Sequence, residues 1–154
     1  MSIITQLIVR HEGSVKVNGR HVPYDDATGL PLKTGDTIKG KITFMYGRNI
    51  QDVGASDDEA DYSLGHDIAA ISGEMQRTFP WFSQLDACRQ DALLDMAFNL
   101  GLPRFKGFAY MIAAMERKDY IAAAAAMLDS KWADQVGERA KELALMVRQG
   151  TYQQ

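Results

Sequence analysis

Two acidic side chains stand where one proton could be given up and one water held. Glu12 lies in "VRHEG" (residues 9–13) and Asp26 in "YDDATG" (residues 24–29). Ile3, Ile4, Leu7 and Ile8 recur at helical spacing behind Ser2, and Gly13 supplies a stop, so Glu12 closes a helix over about residues 2 to 12. Unpaired carbonyls at that end disfavour a negative charge, so a partly buried carboxyl there holds its proton and can serve as a general acid. Asp26 sits among small residues that leave a carboxylate solvated and ionised. Carboxyls split in this way are what acid-assisted glycoside hydrolysis needs. Thr43, opening "TFMYG", adds a hydroxyl able to hold a water. Among 20 acidic residues the pair does not stand out by itself, and two surface side chains are the competing reading.

The elements that must carry these residues change texture along the chain. After the first helix, alternating apolar residues flank an Asn18-Gly19 pair, which predicts a hairpin joining Val15 and Val17 to His21 and Val22. Glycines continue to Gly47, so a small β-rich lobe spans about residues 14 to 55. From Ser56, "SDDE" reads as a capping box with acidic residues in the first turn. Leu64, Ile68, Ile71, Met75 and Phe79 then share a helix face until Pro80, a helix of about 24 residues and ~35 Å. Four or five further helices follow over about residues 80 to 154, including the alanine run 122–126. The expectation is one α+β domain, residues 1–154. In it a β-rich lobe is joined by the linking helix (about 56–79) to a larger helical lobe that includes helix 2–12, with the active-site cleft between the lobes.

Composition narrows the partners. The chain has 154 residues, 46% of them hydrophobic, and 17 basic against 20 acidic side chains for a formal charge of -3. No run of like charge suggests a nucleic-acid arm. The lone Cys88 cannot form an internal disulfide and reads as a packing residue among Leu85, Leu93 and Met96. His11, His21 and His66 lack metal-ligand spacing, and no phosphate loop is apparent, so neither metal nor cofactor is expected. Trp81 and Trp132 read as core more readily than as sugar platforms, and Met96, Met111, Met115, Met127 and Met146 as packing filler. The first residues have too short an apolar run for a secretory signal, and no later segment approaches a membrane span.

The ordered set of motifs resembles the phage-type lysozymes, or endolysins, of glycoside hydrolase family 24. "HEG" is similar to the family's Glu-Gly, "YDDATG" to its Tyr-x-Asp-x-x-Gly, and "TFMYGRN" to its Thr-Ile-Gly-Tyr-Gly-(His/Arg)-Asn. "LDACRQDALLDMAFNLG", "SKWADQVGERA" and "RQGTY" follow in order. The resemblance implies a lysozyme-like fold, with Glu12 the proton donor, Asp26 the second catalytic carboxylate and Thr43 a holder of the attacking water. Asp25 is adjacent, and the choice between the two aspartates rests on the Tyr-x-Asp register. Arg139 matches an arginine that the family sets against the catalytic glutamate, a partner that would favour the ionised acid. Asn99 matches a cleft-facing polar position of the family, which implies substrate contact, with a cap or buried hydrogen bond as the equal alternative. An ion pair of Arg48 with Asp67 is expected.

Two departures from the pattern stand out. The intervals from Glu12 to Asp26 and from Asp26 to Thr43 are longer than in the T-even phage lysozyme. Phe44 and Met45 also replace the usual Ile and Gly beside Thr43. The resemblance further implies a monomer that cleaves the β(1→4) bond between N-acetylmuramic acid and N-acetylglucosamine in peptidoglycan glycan strands, by inversion. It would be made in the host cytoplasm and reach the periplasm through a holin-like membrane permeabiliser, without stable membrane insertion of its own. A lytic transglycosylase and a silent wall-binding module are the alternatives.

Overall fold

A computed structural model describes residues 2–152, in two compact units, Met1–Asp61 and Tyr62–Gln154. In the first unit, α1 (Ile3–Glu12) starts at Ser2, whose hydroxyl accepts from the Thr5 N–H. The Asn18-Gly19 turn, with φ of 50° and 78°, joins β1 (Lys16–Val17) to β2 (Arg20–His21) in the register Val17 to Arg20. Positive φ at both central residues is what a tight hairpin turn demands, and Asn-Gly meets it at little steric cost. A second sheet has the order β4-β3-β5-β6, with β3 Tyr24–Asp25, β4 Leu30–Pro31, β5 Ile42–Phe44 and β6 Arg48–Asn49. All its pairs are antiparallel. Asn49 caps α2 (Ile50–Val53) by accepting from the Gln51 and Asp52 N–H groups.

The long helix α3 (Asp57–Thr78) begins with the expected reciprocal box. The Ser56 N–H donates to Glu59 at 2.9 Å and the Glu59 N–H to the Ser56 hydroxyl at 3.4 Å. Arg48 does not pair with Asp67 as expected; its guanidinium grips Glu59, while its Nε donates to Gly54 O at 3.0 Å. The reason is local. Gly54, at φ 65°, ends α2 and turns the chain, and the carboxylate that reaches Arg48 of β6 is Glu59 in the first turn of α3. That double hydrogen bond, with help from the Ser56 N–H, holds the Glu59 carboxyl down to about 2.

The second unit is built from the remainder of α3, a 3-10 turn at Phe82–Gln84, and six helices among the described residues. These are α4 (Ala87–Leu100), α5 (Leu102–Phe105), α6 (Ala109–Glu116), α7 (Tyr120–Leu128), α8 (Lys131–Val136) and α9 (Glu138–Gln149). The expectation of four or five helices falls short of these six because periodicity over so few residues does not reveal helices as brief as α5 and α8. Phe82, Leu93, Phe105, Trp132 and Val147 form the core together with Met96, Met111, Met115, Met127 and Met146, all buried. Facing alanines on α6 and α7 (Ala114, Ala123, Ala124) allow close packing that unbranched methionines fill. Cys88 is buried in this core, which pushes its thiol pKa up. Arg89 fastens α4 to the end of α9: its Nε donates to Val147 O at 2.7 Å, and its guanidinium stacks 3.7 Å from the Tyr120 ring.

Candidate active site

Glu12, Asp26 and Thr43 all belong to the first unit. Glu12 is the last residue of α1, and Gly13 closes the helix with φ 64° and an N–H donated to Val9 O at 3.1 Å. The exposed Glu12 carboxylate rests on Gly47 in the turn between β5 and β6. A Cβ at Gly47 would fall 2.5 Å from Glu12 Oε2 and 3.1 Å from Cδ. Gly47 also has φ 72°, so the turn needs glycine for its backbone as well as for the space. Among the described residues of this unit, the Glu12 carboxylate makes no hydrogen bond or ion pair.

Thr43 is the middle residue of β5, paired with Tyr24 on one side and Asn49 on the other. It is 4% exposed, and its hydroxyl makes no hydrogen bond among the described residues yet keeps some access to solvent. A buried hydroxyl in that condition can accept a water. The register runs on past β3: the Asp26 N–H donates to Lys41 O at 3.1 Å, and the Lys41 N–H donates to Asp26 Oδ1 at 2.7 Å. Residues alternate faces along a strand, so Tyr24 and Thr43 share one face and Asp25, opposite Ile42, takes the other, while Asp26 follows β3 in the turn, beside Lys41 and two residues along the neighbouring chain from Thr43. Asp26 is exposed, and its Oδ2 accepts no hydrogen bond among the described residues.

Asp25 is differently employed. It is 4% exposed; Oδ2 accepts from the Lys39 N–H at 2.7 Å, and Oδ1 from the Gly40 and Ala27 N–H groups at 2.9 and 3.0 Å. These donors, Lys39 foremost, hold its carboxyl below the usual carboxylate range against the opposing effect of burial. Sequence reasoning saw Asp25 only as a rival to Asp26. The Lys-Gly-Lys stretch at 39–41 carries no signal of its own that names the carboxylate its backbone meets.

Met45 confirms that the departure in "TFMYG" falls at a demanding place. Its φ is 53°, in the region that glycine occupies without cost, and it stands between Thr43 and Gly47.

The remaining two assigned residues lie in the second unit. Asn99 Oδ1 accepts from the Nε1–H of buried Trp132 at 2.8 Å. Arg139 Nε donates to Asp95 Oδ1 at 2.7 Å, and both line an apolar-walled cavity of about 370 Å³ with Leu64, Ile68 and Phe98. Leu64 and Ile68 are 45% and 43% exposed, so the apolar face of α3 is fully covered only toward Met75. A larger cavity of about 610 Å³, lined by Phe108, Tyr110, Ala122 and Ser130, contains none of the residues assigned chemistry.

A small antiparallel sheet with a long helix and a helical remainder is the lysozyme-like α+β fold. The chain matches the family model described as phage lysozyme over residues 19–150, and it belongs to that family. Membership makes it a glycosidase that hydrolyses peptidoglycan. Asp26, Thr43, Asn99 and Arg139 fall inside the matched stretch, whereas Glu12 precedes it. No helix among the described residues is long and apolar enough to cross a membrane.

Proposed function

We propose that the chain is a muramidase that cleaves the β(1→4) bond from N-acetylmuramic acid to N-acetylglucosamine, with inversion. Glu12 protonates the leaving glycosidic oxygen; a water held between Asp26 Oδ2 and the Thr43 hydroxyl attacks the opposite face, and Asp26 takes its proton. That route requires the two carboxyls to stand roughly 6.5–9.5 Å apart in the productive complex. The observation that carries the reading is the nearness of Asp26 and Thr43 along the β3–β5 pairing, each with an oxygen that makes no hydrogen bond among the described residues. Asp25, with three backbone donors on its two oxygens, has little capacity left for a water.

In its biological setting the protein acts as a monomer on peptidoglycan glycan strands for host lysis. It is made in the host cytoplasm and admitted to the periplasm by a separate holin-like permeabiliser. The test is turbidity loss of permeabilised Gram-negative cells with wild type, Glu12→Gln and Asp26→Ala, each also assayed for sacculus binding. Wild type should clear the cells, while both variants bind without clearing. Clearing by Glu12→Gln at the wild-type rate would remove the proposed acid, and binding without clearing by all three would indicate a silent wall-binding module.

A further inference from the structure

The backbone of residues 39–41 is held by two neighbouring carboxylates. The Lys39 and Gly40 N–H groups donate to Asp25, and the next, from Lys41, donates to Asp26. Successive N–H groups of an extended strand point in opposite directions, so two in a row on one carboxylate mean that the chain is curled around it as an anion nest. Asp25 is the buried anion at the centre of that nest. The curl brings the Cα of Gly40 against the carboxylate of Asp26: a Cβ there would overlap Asp26 Oδ1 and stand 2.8 Å from both the Cβ and the backbone nitrogen of Ala27. Gly40 has no positive φ, so its backbone conformation is open to any residue. What the position requires is space.

We propose that Asp25 and Gly40 are positioning residues for Asp26. Asp25 fixes the curl at 39–40, and the bare Cα of Gly40 is the seat that holds Asp26 Oδ1 on the Lys41 N–H with Oδ2 turned outward for water. The proposal rests on Asp26 being the general base. It concerns how that base keeps one orientation, since a misplacement of about 1 Å costs on the order of 10²-fold in rate. Alanine at 40 cannot be accommodated by rotating Asp26 alone, because the Ala27 backbone closes the other side. Asparagine at 25 adds no volume but turns an amide N–H₂ toward one of the backbone donors.

The experiment compares kcat and KM on soluble glycan strands for wild type, Gly40→Ala, Asp25→Asn, Asp26→Ala and the double variant Gly40→Ala/Asp26→Ala, with thermal unfolding followed for each. Gly40→Ala is expected to lose about 10²-fold in kcat with KM unchanged, and to add nothing once Asp26 is alanine. Asp25→Asn should reproduce that pattern if Gly40→Ala does not fold. Full kcat in folded Gly40→Ala and Asp25→Asn beside an inactive Asp26→Ala would overturn the positioning role and leave the proposed function standing. Unfolding of both where Asp26→Ala stays folded would make the pair purely structural and overturn it as well. An active Asp26→Ala would sink the general base itself.

Discussion

The carboxylate of Glu12 lies on the bare Cα of Gly47, with no room for a side chain between them. One end of a helix and the turn of a hairpin are thereby fitted to each other at a single glycine. Gly47→Ala both strains a backbone at φ 72° and drives a methyl into the carboxylate. Activity should fall about 10²-fold through displacement of the acid, against about 10²–10⁴-fold for Glu12→Gln, which removes the proton donor outright. Steady-state rates on glycan strands check both, and an unimpaired Gly47→Ala would show that Glu12 has no need of its present place.

Met45 holds φ 53° where a β-carbon is disfavoured. Left-handed geometry costs a non-glycine residue about 1–2 kcal/mol, and glycine returns about 0.5–1 kcal/mol of that through its more flexible unfolded chain. Met45 is 44% exposed, so little packing is lost with it. Met45→Gly should therefore stabilise the protein by up to about 1.5 kcal/mol in urea unfolding. A lower midpoint for the variant would mean that the methionine side chain contributes more than its backbone costs.

Glu59 is held down to about 2 from an ordinary 4.5 by Arg48. A depressed carboxyl stabilises the fold fully above its unfolded value and loses that contribution as pH falls through the folded one. The stability difference between wild type and Glu59→Gln should be constant above about pH 5 and shrink toward nothing near pH 2. The pair is partly exposed, so high salt should shrink it too. A difference that does not change across that window would rule out the ion pair as its source.

Trp132 gives its indole N–H to Asn99. Asn99→Ala leaves that buried donor unpaired and should cost about 1–3 kcal/mol, while Asn99→Asp keeps an acceptor and should recover much of it. Chemical denaturation of the two variants separates this role from a sugar contact: a variant that keeps full stability but raises KM would make Asn99 a substrate residue alone.

What could be read from sequence was what neighbouring residues decide among themselves. Ser2, Asn18-Gly19 and the Ser56 and Glu59 box each act within a few positions, and each appears where it was expected. Met45 was visible as a departure because its demand is made by the local backbone. The partner of Arg48 was not legible, since it depends on how sharply Gly54 turns the chain. The grip of Asp25 on residues 39 and 40 was hidden for a similar reason: the donors lie 14 and 15 positions away across an inserted loop. Spacing along the chain carries no record of that return.

The most direct measurement of the central claim is the identity and anomeric form of the first product, followed by proton NMR during digestion of glycan strands. Attack by a water held on Asp26 and Thr43, opposite the acid at Glu12, requires a reducing-end N-acetylmuramic acid that appears first as the α-anomer. An initial β-anomer, or a 1,6-anhydro sugar formed without water, would contradict the account.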